Sequence, residues 1–270
     1  MFVSLKTEKS DGIATITLLG PSKGNAMGPE FWEELPQAID EINADAAVRV
    51  IVIRGSGEHF SYGLDLPRML PKMGSLMAGQ VMADKRLEFK KMIKLMQSGF
   101  LKMHLSSKPV IAAIHGWCIG GGVNMISAAD IRICSADAKF SLRETRLAIT
   151  PDIGGLQFLP KIIGEGFTRE LAFTAKDFDA KFAEKIGLVN HVYENPEELF
   201  EKANEMAKQI AENSGVAVQG AKQVLNFGMD KSIETGLDYV GTWNAAFMQS
   251  DDFNEVILAA MEKRKAVFNK

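Results

Sequence analysis

Two acidic side chains stand out as residues that could move protons. Glu144 and Asp152 lie eight positions apart in FSLRETRLAITPDIGG, residues 140–155. Two carboxyl groups that face one substrate can remove a proton at one atom and return a proton at another. Taken singly, Glu144 between Arg143 and Arg146 is also typical of a surface carboxylate, and Asp152 has the sequence position of a helix N-cap.

Two glycine-containing turns could bind an oxyanion through the backbone. In HGWCIGGGVN, residues 115–124, three consecutive glycines let a ligand approach the main chain, and we expect a helix to begin among them. Free N–H groups and the positive end of the helix dipole would favour negative charge there. In HFSYGLDL, residues 59–66, Gly63 permits a tight turn that leaves the N–H of Leu64 free. A glycine run alone is equally consistent with a structural turn.

Strands and a helix alternate around these segments. Residues 13–18 alternate between apolar and polar, which predicts a half-buried strand, whereas 48–54 and 109–114 are short, apolar runs typical of buried strands. Residues 80–106 are predicted to form a helix, so the strands should pair in parallel through crossovers. Both glycine turns follow a predicted strand, the place where open α/β sheets bind ligands.

The C-terminal part of the chain is predicted to be helical. From about residue 165 the pattern is mostly that of helices, and one apolar stripe is formed by Leu199, Ala203, Met206, Ala207 and Ile210. No low-complexity linker separates this part from the rest. We therefore predict an α/β core over residues 1–195 and a helical region over 196–270 that packs on the core or on a neighbouring subunit.

Composition excludes several classes of function. The 270 residues carry a net charge of −3, which gives no general attraction to nucleic acid or to anionic membranes. Cys118 and Cys134 lie in apolar stretches and are expected to be buried thiols rather than a disulfide. The histidines and cysteines lack metal-ligand spacing, so no metal is expected. Neither a signal peptide nor an apolar run of membrane-spanning length is present, and we expect a cytoplasmic protein.

In this order and spacing, the three segments resemble the crotonase (enoyl-CoA hydratase/isomerase) superfamily. PSKGNAM at 21–27, AKFAEKIGLVNHVY at 180–193 and LAAMEKRKAVF at 258–268 extend the resemblance over nearly the whole chain. It implies an α/β fold, a crotonase-like spiral of ββα repeats with a helical C-terminal region, in a homotrimer or homohexamer. It also implies an acyl-CoA thioester substrate and no cofactor other than the coenzyme A of that substrate.

The resemblance assigns roles to the two turns. The N–H groups of Leu64 and Gly121 would form an oxyanion hole for the thioester carbonyl, which gains negative charge when a neighbouring proton is removed. Tyr62 would lie near the adenine ring, where it could stack on the ring or face the core. The residues expected to bind substrate are Lys23, Ser61, Tyr62, Gly63, Asp65 and Gly120.

The acidic positions distinguish branches of the superfamily. Hydratases usually hold a water between two glutamates; Glu144 matches the second of these, but Asn124 stands at the first. The segment from 120 to 164 is most similar to the Δ3,5-Δ2,4-dienoyl-CoA isomerase branch, which has an acid where Asp152 stands. By that resemblance Asp152, as base, and Glu144, as acid, transfer protons at the two ends of a dienolate. The branch normally has a third acid at position 124, and its loss is expected to lower the pKa of Glu144.

Other functions remain open at this point. An amide at 124 could still orient a water for hydration, and Glu144 alone would suffice for a Δ3-Δ2 enoyl-CoA isomerase. Dehalogenase relatives have a nucleophilic aspartate near Asp152, and a non-catalytic acyl-CoA-binding protein is a further alternative.

Methionine is flexible enough to line a pocket for a variable acyl chain, although plain core filling also explains such residues. The methionines concerned are Met69, Met73, Met77, Met82, Met92, Met96 and Met103.

Overall fold

Short strands build two sheets, and the strands of the two sheets are interleaved along the second half of the sheet-forming chain. The computed structural model describes residues 2–77 and 82–268. The larger sheet has the order β1-β2-β3-β4-β6-β9 and the smaller one β5-β7-β8. The strands are β1 Leu5–Ser10, β2 Ile13–Leu18, β3 Val50–Gly55, β4 Val110–Ile114, β5 Trp117–Ile119, β6 Ile131–Ser135, β7 Lys139–Ser141, β8 Asp177–Asp179 and β9 His191–Tyr193.

Helices connect and cover these strands. Strands β2, β3, β4, β6 and β9 pair in parallel, as the alternation of strands and helix predicted, while β1 and β2 form an antiparallel hairpin. A 3₁₀ turn spans Glu144–Leu147. The helices are α1 Pro29–Asn43, α2 Leu66–Met77, α3 Ala83–Leu105, α4 Gly121–Ser127, α5 Gly155–Thr174, α6 Ala180–Lys185, α7 Pro196–Ala211, α8 Gly215–Gly228, α9 Ile233–Phe247 and α10 Asp251–Glu262.

The predicted elements agree with the structure, with small shifts at their ends. The strand predicted at 13–18 is confirmed. The strand predicted from residue 48 begins at Val50, because the N–H of Val48 bonds to the Asp45 carbonyl in a turn. The helix predicted over 80–106 is α3, and residues 80 and 81 lie outside the described residues.

The C-terminal region packs on the core through α7 and α8. Leu199, Ala203 and Ala207 of α7 are buried against the large sheet, which confirms the predicted apolar stripe. Lys222 of α8 is buried beside β4. In contrast, none of the described α9 residues is buried. Among the described residues, no helix is both long and apolar enough to cross a membrane.

Candidate active site

The two glycine turns meet at the end of β5. Ser61 pairs with the strand, since its N–H donates to the Trp117 carbonyl and its carbonyl accepts from the N–H of Ile119. Gly63 has φ +78°, and a Cβ there would lie 2.5 Å from the Ile119 oxygen and 2.8 Å from the Gly121 nitrogen. Only glycine combines this conformation with this close approach. The predicted tight turn at Gly63 is therefore confirmed, with its cause.

Two backbone N–H groups are left unpaired at this contact. Helix α4 begins at Gly121, after Gly120 with φ +50°, so a helix does start among the glycines. Within the described part of the chain, neither Leu64 nor Gly121 donates its N–H to another group. A Cβ on Gly121 would lie 3.5 Å from the Leu64 nitrogen, so the two donors are neighbours.

These donors border a cavity of about 660 Å³. Most of its wall is apolar, and two arginines and two carboxylates supply the charge. Volume and lining suit a ligand with an extended apolar chain and one polar reacting end. The lining residues are Tyr62, Leu64, Leu66, Met96, Trp117, Ile119, Gly120, Gly121, Arg143, Glu144, Arg146, Leu147, Ile149, Asp152 and Ile153.

Glu144 presents one unpaired carboxylate oxygen in the cavity wall. Its Oε1 accepts a 2.6 Å hydrogen bond from Asn124 Nδ2, whereas its Oε2 is buried with no partner among the described residues. Burial raises the pKa of Glu144 and the nearby charge of Asp152 raises it further, against lowering by the Glu144 backbone N–H and Asn124. A buried carboxyl with a free oxygen and a raised pKa is suited to accept and return protons.

The pKa of Glu144 is set by two opposing effects, the hydrogen bond from Asn124 and the burial of the carboxyl. Asn124 does favour the ionised form of Glu144, as expected for an amide in place of an acid. Burial nevertheless outweighs this effect, so the pKa of Glu144 lies above its ordinary value and not below it. The expectation compared an amide with an acid at position 124: the hydrogen bond from Asn124 acts in the expected lowering direction, and the comparison with an acid there stays a prediction.

Asn124 is fully buried, and both its amide nitrogen and its amide oxygen make hydrogen bonds within the protein. Its Nδ2 also donates to the Gly120 carbonyl at 2.7 Å, and its Oδ1 accepts from the N–H of Gly155 at 2.7 Å. The backbone donor at Gly155 fixes which end of the amide is oxygen. Both amide hydrogens are therefore used within the protein, and Asn124 connects Glu144 to the start of α5.

Asp152 lies in the segment just before α5. The helix N-cap is Gly154, so the N-cap interpretation of Asp152 is wrong. Asp152 is half-buried in the cavity wall, and burial raises the pKa of its carboxyl, partly offset by a hydrogen bond from its own backbone. The tertiary structure thus brings both acids to one cavity.

Known proteins are similar to this chain over nearly its whole length. A model of the enoyl-CoA hydratase/isomerase family matches residues 8–270. The chain belongs to this family. It is 45% identical over 98% of its length to "Delta(3,5)-Delta(2,4)-dienoyl-CoA isomerase, mitochondrial" of Dictyostelium discoideum, covering 90% of that protein. A relative in Arabidopsis thaliana named as the peroxisomal isomerase is 42% identical over 93% of this chain and 90% of its own.

Solved structures of the family have the same fold. The crystal structure of an enoyl-CoA hydratase from Bacillus anthracis superposes with a TM-score of 0.89 at 30% identity, covering 98% of this chain and 99% of the other. The expected crotonase-like α/β fold is confirmed by this likeness and by the family match.

The family's expected substrate-binding positions separate into two groups. Tyr62 lines the cavity, stacks on His59 with ring centroids 5.0 Å apart and covers Gly24, so it does not face the core. Gly120 lines the cavity as well. Ser61 and Asp65 instead support the turns: the Ser61 hydroxyl accepts from the N–H of Gly63, and Asp65 accepts from the N–H of Arg68.

Lys23 and most of the methionines lie outside the cavity wall. Lys23 is exposed on the turn that precedes Asn25. Met96 lines the cavity, Met69, Met92 and Met103 fill the core, and the Met77 side chain lies outside the described residues. Core filling is thus the main role of this set, with Met96 as the residue that also faces the site.

Sequence reasoning missed several residues of the cavity wall. Trp117, Arg143 and Arg146 line it, and the Arg143 guanidinium lies 5.1 Å from the centre of the Trp117 ring. Asp177 pairs with both arginines at 2.9 and 3.8 Å and so partly neutralises their charge. The sequence could have indicated Trp117, because successive side chains of a strand point to opposite faces. Since Cys118 is buried, its neighbour Trp117 on the strand that leads to Gly121 faces the other way.

Proposed function

We propose that this protein is a Δ3,5-Δ2,4-dienoyl-CoA isomerase. The observation that carries the proposal is that Glu144 and Asp152 line the same cavity as the free N–H groups of Leu64 and Gly121. Similarity to relatives named as this isomerase, at up to 45% identity, supports it. A double-bond shift over five carbons needs a proton acceptor at one end and a donor at the other, which two separate carboxyls provide.

The backbone donors stabilise the intermediate. Removing a proton from C2 of a 3,5-dienoyl thioester places negative charge on the carbonyl oxygen and delocalises it to C6. The N–H groups of Leu64 and Gly121 would donate to that oxygen, and a donor of this kind is worth about 10²–10³ in rate. Protonation at C6 then gives the 2,4-dienoyl thioester, with one proton lost and one gained.

The geometry supports one order for the two acids. A Cβ on Gly120 would lie 3.7 Å from Glu144 Oε1, so Glu144 is next to the turn that carries the oxyanion donor Gly121. Glu144 is therefore assigned to C2 and Asp152 to C6. This is the reverse of the sequence-based hypothesis, in which Asp152 was the base and Glu144 the acid.

The environment of Asn124 argues against hydration. A hydratase-type water would need a hydrogen-bond partner at position 124, yet both hydrogens of this amide are used by Gly120 and Glu144, and its oxygen already accepts from the N–H of Gly155. Asn124 therefore acts through the orientation of Glu144 and not by proton transfer.

The test measures isomerisation and acyl-CoA binding on matched variants. Asp152→Asn and Glu144→Gln should each lower conversion of 3,5-dienoyl-CoA by about 10²-fold or more, because each removes a group that transfers a proton. Binding of a saturated acyl-CoA, measured by calorimetry, should change little. Glu165→Gln, an exposed carboxyl paired with Arg169, is the control and should match the wild type.

Two outcomes would contradict the proposal. If Asp152→Asn keeps full activity while Glu144→Gln loses it, the protein is a one-glutamate enoyl-CoA isomerase. If the wild type hydrates 2-enoyl-CoA faster than it isomerises the dienoyl substrate, the hydratase alternative is the better one.

Coenzyme A binding, assembly and location complete the proposal. Lys23 is exposed beside the Gly24–Tyr62 contact, where a coenzyme phosphate could reach it. The exposed apolar residues of α9 support a homotrimer or homohexamer.

No cofactor beyond the coenzyme A of the substrate is needed for the proton transfers described. We keep the cytoplasm as the proposed location, although two relatives are named as mitochondrial and peroxisomal; cell fractionation tests it.

A further inference from the structure

The Asp152 segment has little support of its own. Residues 150–153 lie between the 3₁₀ turn and α5 and form neither helix nor strand. Among the described residues, their backbone makes one hydrogen bond to another part of the chain: Gln97 Nε2 donates to the Asp152 carbonyl at 2.5 Å. Pro151 and Ile153 add apolar burial on either side. The hydrogen bond from Gln97 on α3 thus fixes the orientation of the peptide group that carries the Asp152 carbonyl.

Gln97 is attached to a rigid part of the fold. Its neighbour Met96 lines the cavity and is buried, and Phe100, one turn later, is buried in the main core. A half-buried amide on such a helix is a fixed reference point for the irregular segment opposite.

We infer that Gln97 is a positioning residue, which holds the Asp152 carboxyl at the correct place for proton transfer by fixing the Asp152 carbonyl. The inference rests on the proposed function in which Asp152 transfers a proton. A carboxyl displaced by about 1 Å costs up to about 10²-fold in rate, although its acidity and the rest of the site are unchanged. Gln97 touches neither the carboxyl nor the reacting carbons in this role; it acts through the backbone.

The first experiment uses Gln97→Met, which keeps the length of the side chain and removes the N–H donor. We expect kcat for 3,5-dienoyl-CoA to fall about 10- to 100-fold with KM nearly unchanged, because the oxyanion donors remain in place. Gln37→Met is the matched control: Gln37 also donates one hydrogen bond, to Glu41 on the exposed face of α1. It should leave kcat and KM at the wild-type values.

A double-mutant cycle separates positioning from a general structural effect. In an Asp152→Asn background, Gln97→Met should cause little further loss, since there is no carboxyl left to position. If the two losses multiply, Gln97 acts elsewhere and the inference is overturned.

Hydrogen–deuterium exchange gives a readout that does not depend on activity. The bonded amides on either side of the segment should exchange faster in Gln97→Met than in the wild type or in Gln37→Met, while peptides from the large sheet stay unchanged. These amides are Ile149, which donates to the Glu144 carbonyl, and Gly155, which donates to Asn124 Oδ1. Unchanged exchange together with wild-type kcat would overturn the inference. A wild type without dienoyl-CoA turnover would instead refute the proposed function, and exchange would still report whether Gln97 holds the segment.

Discussion

The protonation of the site depends on how two carboxyls are buried. Glu144 and Asp152 both have a pKa above the ordinary value because burial penalises their charged forms. The nearby charge of Asp152 adds to the raised pKa of Glu144. Isomerisation needs one carboxyl ionised and the other protonated, so the pKa values of both groups control the rate.

The pH dependence of turnover follows from these directions. The base must be ionised, so kcat/KM should fall as the pH drops through its raised pKa. The acid must be protonated, so kcat/KM should fall again as the pH rises through the second value. We expect a bell-shaped profile whose acidic limb lies above pH 3.8, the ordinary value for aspartate, because the pKa values of both carboxyls are raised. Steady-state rates with 3,5-dienoyl-CoA across the pH range check this, and a limb at or below pH 3.8 contradicts it.

Replacing Asn124 should move that profile. Asn124→Asp removes the N–H donation to Glu144 Oε1 and adds a like charge beside it, and both changes raise the pKa of Glu144. The limb that belongs to Glu144 should therefore shift to higher pH. Asn204→Asp, at an exposed position on α7, serves as the control with the same change of charge. A limb that stays in place would show that Asn124 does not act through Glu144.

At the scale of elements, the site depends on the contact of two turns. Gly63→Ala introduces a Cβ 2.8 Å from the Gly121 nitrogen in addition to strain at φ +78°, so the two oxyanion donors should separate. Turnover should fall about 10²-fold or more. Gly57→Ala is the control: its φ is +62° but a Cβ there meets nothing within 4 Å. It should lower stability by about 1 kcal/mol and leave kcat unchanged. Equal activity losses in both variants would attribute the effect to strain alone.

Helix α8 is fixed to the core by one buried ammonium group. Lys222 Nζ donates to the carbonyls of Met103 and Lys108 and to the Asp130 carboxylate at 2.7 Å. Lys222→Met removes three hydrogen bonds and the ammonium partner of the Asp130 carboxylate, and should lower the free energy of unfolding in urea by about 1–3 kcal/mol. Lys202→Met breaks an exposed pair with Glu205 and should have no measurable effect. If the two variants are equally stable, α8 is held by apolar packing instead.

For the whole molecule, exposed apolar residues point to assembly. Ile233 and Leu237 lie one turn apart on α9 and are 85% and 64% exposed. Such residues are expected at a subunit interface. Light scattering should show a trimer or hexamer for the wild type and smaller species for Ile233→Asp combined with Leu237→Asp. Thr242→Asp, at another exposed position on α9, is the control. A wild-type monomer at micromolar concentration would refute the assembly.

The sequence by itself determined the alternation of strands and helices, the need for glycine at 63 and the acidic pair, because these depend on local pattern and residue type. Only the tertiary structure decided what these residues do. Burial set the direction of the Glu144 pKa, and chain segments far apart supplied Asn124 and Gln97 as partners of the acids. It also showed that Ser61 and Asp65 support turns, and that Asp152 does not cap α5. Local patterns cannot give these results, since burial and hydrogen-bond partners arise from residues that are distant along the chain.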